Sequence, residues 1–222
     1  MLDLLASSGL GSLLGMRHAL EPDHLAAVST LVSAERSSLR AALLGVWWGI
    51  GHTASLLAVG VALVVLRAEL PVAVTAVFEV AVGAMLVALG ARAIRDAVRQ
   101  APAHRHTALV HGHAGLPPHV HIGAWTLARR PLIVGAVHGL AGSGALTALV
   151  LTTLPSTAAR LAYVALFGLG STLGMAALSG LLGWPLARLG ARRQVGRAVS
   201  IAVGIASMVI GMAWSARAWP GN

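Results

Sequence analysis

Arg17-His18-Ala19-Leu20-Glu21-Pro22-Asp23-His24 places five ionisable side chains in the middle of Leu4–Val32, a segment that is otherwise apolar. In lipid, an Asp or Arg costs roughly 2.5–3.5 kcal/mol on insertion scales unless it is paired or hydrated, so ionisable groups inside a span mark pathways or sites rather than padding. At 100° per residue, Asp23 and His24 lie about 140° and 240° around a straight helix from His18, which would splay the three apart. Pro22 has no N–H to give the His18 carbonyl, and its ring crowds that carbonyl. The spacing therefore predicts a kink or unwinding between His18 and Pro22, which draws the imidazoles and the carboxylate together and frees a backbone oxygen. Imidazole plus carboxylate is a borderline ligand set suited to nickel, cobalt or zinc.

The surroundings of the octet decide the fold class. Hydrophobic residues make up 57% of the 222 residues and charged ones only 10%, with a mean hydropathy of +0.80, too little charge to cover a soluble domain. The net charge of +9 rests entirely on Arg. Those arginines sit between apolar runs and not along a helix face interleaved with aromatics, so membrane topology explains them better than nucleic acid does. With no Cys, a disulfide framework and a thiolate metal site are both excluded. Met1–Leu14 lacks the basic start of a signal peptide and is expected to remain part of the first helix.

About 20 apolar residues cross a bilayer core. Six segments qualify: Leu4–Val32, Leu39–Leu66, Pro71–Ala97, Pro131–Leu154, Thr157–Leu186 and Gly196–Trp214. The expected fold is an all-α, polytopic membrane protein with a first three-helix half (1–97), a His-rich loop (98–130) and a second three-helix half (131–222). With the N-terminus on one side, the opposite side holds Arg36, Arg40, Arg92, Arg95, Arg99, Arg105, Arg129, Arg130, Arg188, Arg192, Arg193 and Arg197. The N-terminal side holds Arg67, Arg160 and Arg217. This asymmetry puts the loop in the cytoplasm and both termini outside; the membrane is expected to be a prokaryotic inner membrane.

A weak internal repeat supports two halves. Gly15-Met16-Arg17-His18 matches Gly135-Ala136-Val137-His138, Gly49-Ile50-Gly51-His52-Thr53 matches Gly168-Leu169-Gly170-Ser171-Thr172, and Ala81-Val82-Gly83 with Gly90 matches Ala202-Val203-Gly204 with Gly211. Three spans per half is an odd number, so the halves have opposite topology, a 3+3 inverted repeat of the kind transporters use around a midplane site. Duplicated packing motifs would explain the glycines alone, because small residues let membrane helices approach closely. They do not explain the coincidence of His18 with His138. The candidate metal residues are thus His18, Asp23, His24, His52 and His138. The glycines beside His52 are read as letting the second span approach the first, and Gly139–Gly144 as loosening the helix after His138. Glu79 is assigned to the interface.

The pattern His18-x4-Asp23-His24, after Arg17 and before Gly51-His52-Thr53, resembles the signature of the nickel/cobalt transporter family. That resemblance implies metal recognition and transport by His18, Asp23, His24 and His52, with the ion as cargo and no resident cofactor. Longer members have eight spans and acidic motifs in the second half. This chain has no Asp or Glu after Asp96, and Glu21-Pro22 stand where uptake permeases usually have Asp-Ala. It is more similar to the short, six-span urease-accessory, HupE-like branch.

In the loop, His104/His106, His111/His113 and His119/His121 form three H-x-H pairs, read as a flexible metal-collecting tract or a solvated linker. The partners expected are a divalent metal ion and the lipid bilayer, with no nucleic acid; no oligomeric state follows. Rival readings are efflux in place of uptake, a membrane acyltransferase in which Asp23 orients His18 as a base, and a haem-binding electron carrier. An intramembrane zinc protease lacks its H-E-x-x-H motif. The chain is expected not to be an enzyme.

Overall fold

The computed structural model describes residues 2–33, 35, 37–66, 68, 70–99, 110–113, 116–120, 129–141, 156–190 and 193–218. Helices α1 (Leu2–His18), α2 (Pro22–Val32), α3 (Ser38–Leu66) and α4 (Val72–Val98) precede strands β1 (Val110–His113) and β2 (Leu116–Val120). Helix α5 is described over residues 129–141, and α6 (Thr157–Gly190) and α7 (Arg193–Ala218) follow. Among the described residues, four segments are long and apolar enough to cross a membrane: Ser38–Leu63, Val72–Val98, Thr157–Leu186 and Gln194–Ala218.

The expected first span is divided. Its pieces, of 17 and 11 residues, each fall short of the roughly 20 residues a crossing needs. The break lies where Pro22 forbids helical continuation, and Pro22 opens α2 in the first-turn position where its missing N–H is harmless. The oxygen expected to be freed is not free. The His18 carbonyl accepts from Glu21 N–H at 3.0 Å, and the Arg17 carbonyl from Leu20 N–H at 2.9 Å, so tight i→i+3 bonds close the turn. Of the expected fourth span, residues 142–154 lie outside the described residues, and with them Gly142 and Gly144.

The loop departs from an all-helical chain. β1 and β2 pair antiparallel, with Val110 opposite Val120 and His111 opposite His119, and a bulge between His111 and His113. β-Branched valines close the ladder at one end, and the segment has no 3.6-residue apolar period to make a helix. His104, His106 and His121 fall outside the described residues.

The polarity of the bundle is that of a lipid-embedded protein. Leu39, Val65, Val72 and Leu181 are exposed, while Asp23, His24, His52, His138, Ser171, Ser179 and Ser207 are buried. Glycine contacts bring the helices together, and they recur in pairs. A Cβ on Gly15 (α1) would collide with the Phe167 carbonyl (α6); one on Gly135 (α5) would collide with the Trp48 carbonyl (α3). Gly170 (α6) meets the Ser12 carbonyl (α1), and Gly51 (α3) meets the Leu132 carbonyl (α5). In α4 and α7, Gly83 faces Gly211 and Gly90 faces Gly204, so these helices run antiparallel. So do α3 and α6, where Gly49 abuts Thr172 and Gly168 abuts Thr53. Midway along that pair the Thr53 and Thr172 hydroxyls meet at 3.0 Å.

These contacts correct one expectation. The glycines flanking His52 seat α3 against α5 and α6, not against the first span. The first span's helix α1 instead runs along α6, in the same direction, through Gly11–Tyr163, Gly15–Phe167 and Gly174–Ala19.

Candidate metal site

Four elements deliver the polar cluster. His18 ends α1, Asp23 and His24 begin α2, His52 sits midway along α3, and His138 lies on α5. The crossing of α5 over α3 is what brings the last two near each other, because Gly139 packs directly on the His52 carbonyl and the Ser55 hydroxyl. All five residues that the sequence singles out come into one region. His18 and His24 have ring centroids 4.4 Å apart, His18 and His52 5.4 Å, His24 and His52 5.3 Å, and His24 and His138 4.1 Å. A straight first span would have forbidden the first of these distances.

Asp23 occupies both of its oxygens with imidazole. His138 Nε2 donates to Oδ2 at 2.8 Å, while His24 donates to Oδ1 through Nδ1 at 3.1 Å and through its backbone N–H at 2.9 Å. His18 uses a different carboxylate: its Nδ1 lies 3.0 Å from Glu21 Oε1. These bonds settle which ring nitrogens are committed and which are left. Among the described residues, His18 Nε2, His24 Nε2, His138 Nδ1 and both nitrogens of His52 are buried without a hydrogen-bond partner.

Among the described residues there are two potential ligand groupings, His18/His24/His52 and Asp23/His24/His138, each with one potential ligand atom per residue and all within 4.8 Å of one another. Nitrogens each about 2.0–2.1 Å from a metal stand roughly 3–4 Å apart. Atoms within 4.8 Å of one another are thus close to that spacing.

Aromatic residues wall the cluster. Trp48 lies 5.4 Å from the His24 ring and 5.7 Å from the His138 ring, and Phe167 lies 5.3 Å from the His18 ring. The sequence reading passed over both. A signal for them existed, since Trp48 and Phe167 stand at the same offset as the Gly49 and Gly168 motifs. It also gave Glu21 no individual task, because the resemblance attaches to the histidines and to Asp23. The pairing an acyltransferase reading needs, Asp23 on His18, is not the pairing found.

No family model and no solved structure matches the chain. Among curated proteins it is 35% identical over 210 residues to the urease accessory protein UreH of Bacillus sp. (strain TB-90), an alignment covering 95% of this chain and 90% of that protein. It is also similar to two Arabidopsis thaliana proteins, chloroplast proteins FOR GROWTH AND FERTILITY 1 and 2, at 31% and 30% identity. Those alignments cover 81% and 82% of this chain but only 50% and 48% of the plant proteins.

Proposed function

The chain belongs to the family of the urease accessory protein UreH, and on that premise we propose that it carries a divalent transition metal, nickel before cobalt, across the cell membrane through the buried histidine cluster. The observation that carries this reading is the set of partnerless nitrogens on His18, His24 and His52. A buried polar atom without a partner costs about 1–3 kcal/mol, and here several converge. One divalent cation satisfies them together, and neutral imidazole is a borderline donor that suits nickel and cobalt. The resemblance of His18-x4-Asp23-His24 to nickel/cobalt transporters ranks nickel first.

In this reading His18, His24 and His52 hold the ion. Asp23 holds His24 and His138 in place and supplies the negative charge that a divalent guest needs in a low-dielectric site. His138 is a holder or gate that can turn its remaining nitrogen towards the ion.

Movement across the membrane calls for a device, and the paired glycine contacts support a 3+3 inverted repeat. Exchanging each residue for its counterpart about 120 positions away turns Gly15–Phe167 into Gly135–Trp48, and Gly51–Leu132 into Gly170–Ser12. Such halves rock about a fixed midplane site in secondary transporters, whose helices are broken at the substrate as α1 and α2 are here. The Arg asymmetry orients the β1–β2 hairpin towards the cytoplasm.

Radiolabelled nickel flux in cells expressing the chain tests the proposal. Accumulation should exceed the empty-vector control and fall to that control with His52→Ala. Depletion below the control would reverse the direction, and flux that ignores His52→Ala would sink the site.

A further inference from the structure

We infer that Glu21 is a positioning residue of the metal site, fixing His18 so that Nε2, and not Nδ1, faces the ion. This rests on the metal reading above and deepens it.

Glu21 lies in the link between α1 and α2, and its backbone is tied at both ends: its N–H donates to the His18 carbonyl at 3.0 Å and its carbonyl accepts from Leu25 N–H at 2.9 Å. From that fixed base the side chain turns back three residues to His18 Nδ1, at 3.0 Å. A carboxylate oxygen accepts, so Nδ1 carries the hydrogen and, in the neutral ring, Nε2 keeps the lone pair. Nε2 is the His18 nitrogen that is buried without a partner, and His18 is the residue grouped with His24 and His52. Glu21 thus does for His18 what Asp23 does for His24, from the other side: its side chain is 48% exposed, against 15% for His18.

Stability does not account for the contact. A half-exposed ion pair three residues apart contributes little to a fold, and the turn is already closed by backbone bonds. An outer carboxylate on a ligand histidine, by contrast, fixes tautomer and ring orientation, and its loss typically weakens metal binding by roughly 10–100-fold.

Nickel titration of the purified full-length chain by calorimetry separates the possibilities, with wild type, Glu21→Ala and Glu21→Gln compared at one pH. Glu21→Ala should bind roughly 10–100-fold more weakly. Glu21→Gln should stay near wild type, because the amide oxygen still accepts from Nδ1. Unchanged affinity in Glu21→Ala would overturn the inference. So would an equal loss in Glu21→Gln, which would mean that negative charge, and not orientation of His18, is what Glu21 supplies. Should Glu21→Ala fail to fold, Glu21→Leu takes its place in the comparison with Glu21→Gln under the same criterion. A wild-type chain that binds no nickel would instead refute the underlying metal reading.

Discussion

Asp23 is the residue on which the cluster turns, because one buried carboxylate serves two imidazoles and the start of α2 at once. Asparagine offers a single oxygen and puts an N–H₂ where the second imidazole N–H points, so one ring must flip or lose its partner. Asp23→Asn should therefore weaken nickel binding by roughly 10–100-fold while the protein still inserts, since removing a charge makes insertion easier; calorimetry against wild type reads the loss, and an unchanged affinity would show that Asp23 plays no part. Two of the site's histidines differ in commitment. His52 has both nitrogens unengaged among the described residues, whereas His138 already gives Nε2 to Asp23. His52→Ala should abolish flux, and His138→Ala should leave a reduced but measurable rate. Equal, complete loss in both would make His138 a ligand of the same standing.

Among the elements, the broken first helix and the glycine crossings have separate tasks: the break gathers the candidate ligands, and the crossings set how far apart the helices stand. Valine at Gly51 or at its counterpart Gly170 would drive a side chain into a carbonyl of the neighbouring helix, at Leu132 and Ser12 respectively. Each should destabilise by at least the 1–3 kcal/mol typical of overpacking. Gly9→Val, with nothing within 4 Å of the new Cβ, should be neutral. Detergent melting curves of the three variants check this, and a normal Gly51→Val would mean that α3 and α5 are not so closely seated. The break was legible because Pro22 acts locally, through a missing donor and a steric clash. The fate of the His18 carbonyl was not, since it depends on how the chain turns after it. Which helix each glycine meets was equally hidden: the repeat relates Gly51 to Gly170, but it does not say that one packs on α5 and the other on α1. The hairpin escaped notice because His, Pro and Gly carry little strand signal, and only Val110 and Val120 frame it.

At the scale of the whole molecule, apolar segments and their order were readable because hydropathy depends on composition alone, and the convergence of His18, Asp23, His24, His52 and His138 could be expected because polar groups in lipid must find one another. Handedness and pairing of the helices needed three dimensions. What remains to be tested is the direction of the halves. Helices α4 and α7, counterparts in the proposed repeat, pack antiparallel, with Gly83 on Gly211 and Gly90 on Gly204. If both cross the membrane, their first residues lie on opposite sides. From the arginine distribution, the ends carrying Arg40, Arg95, Arg99, Arg188 and Arg193 are expected to face the cytoplasm. The chain has no cysteine, so single cysteines can be placed without removing any. A membrane-impermeant thiol reagent applied to intact cells should label Val72→Cys and Ser156→Cys. It should reach Leu39→Cys, Val98→Cys and Leu189→Cys only after the cells are opened. Labelling of Val72→Cys and Val98→Cys from the same side would mean that α4 does not cross. Labelling of the first residues of α4 and α7 from one side would remove the proposed inverted repeat, and with it the proposed rocking movement, while the proposed metal site at the histidine cluster would then need some other motion to open it.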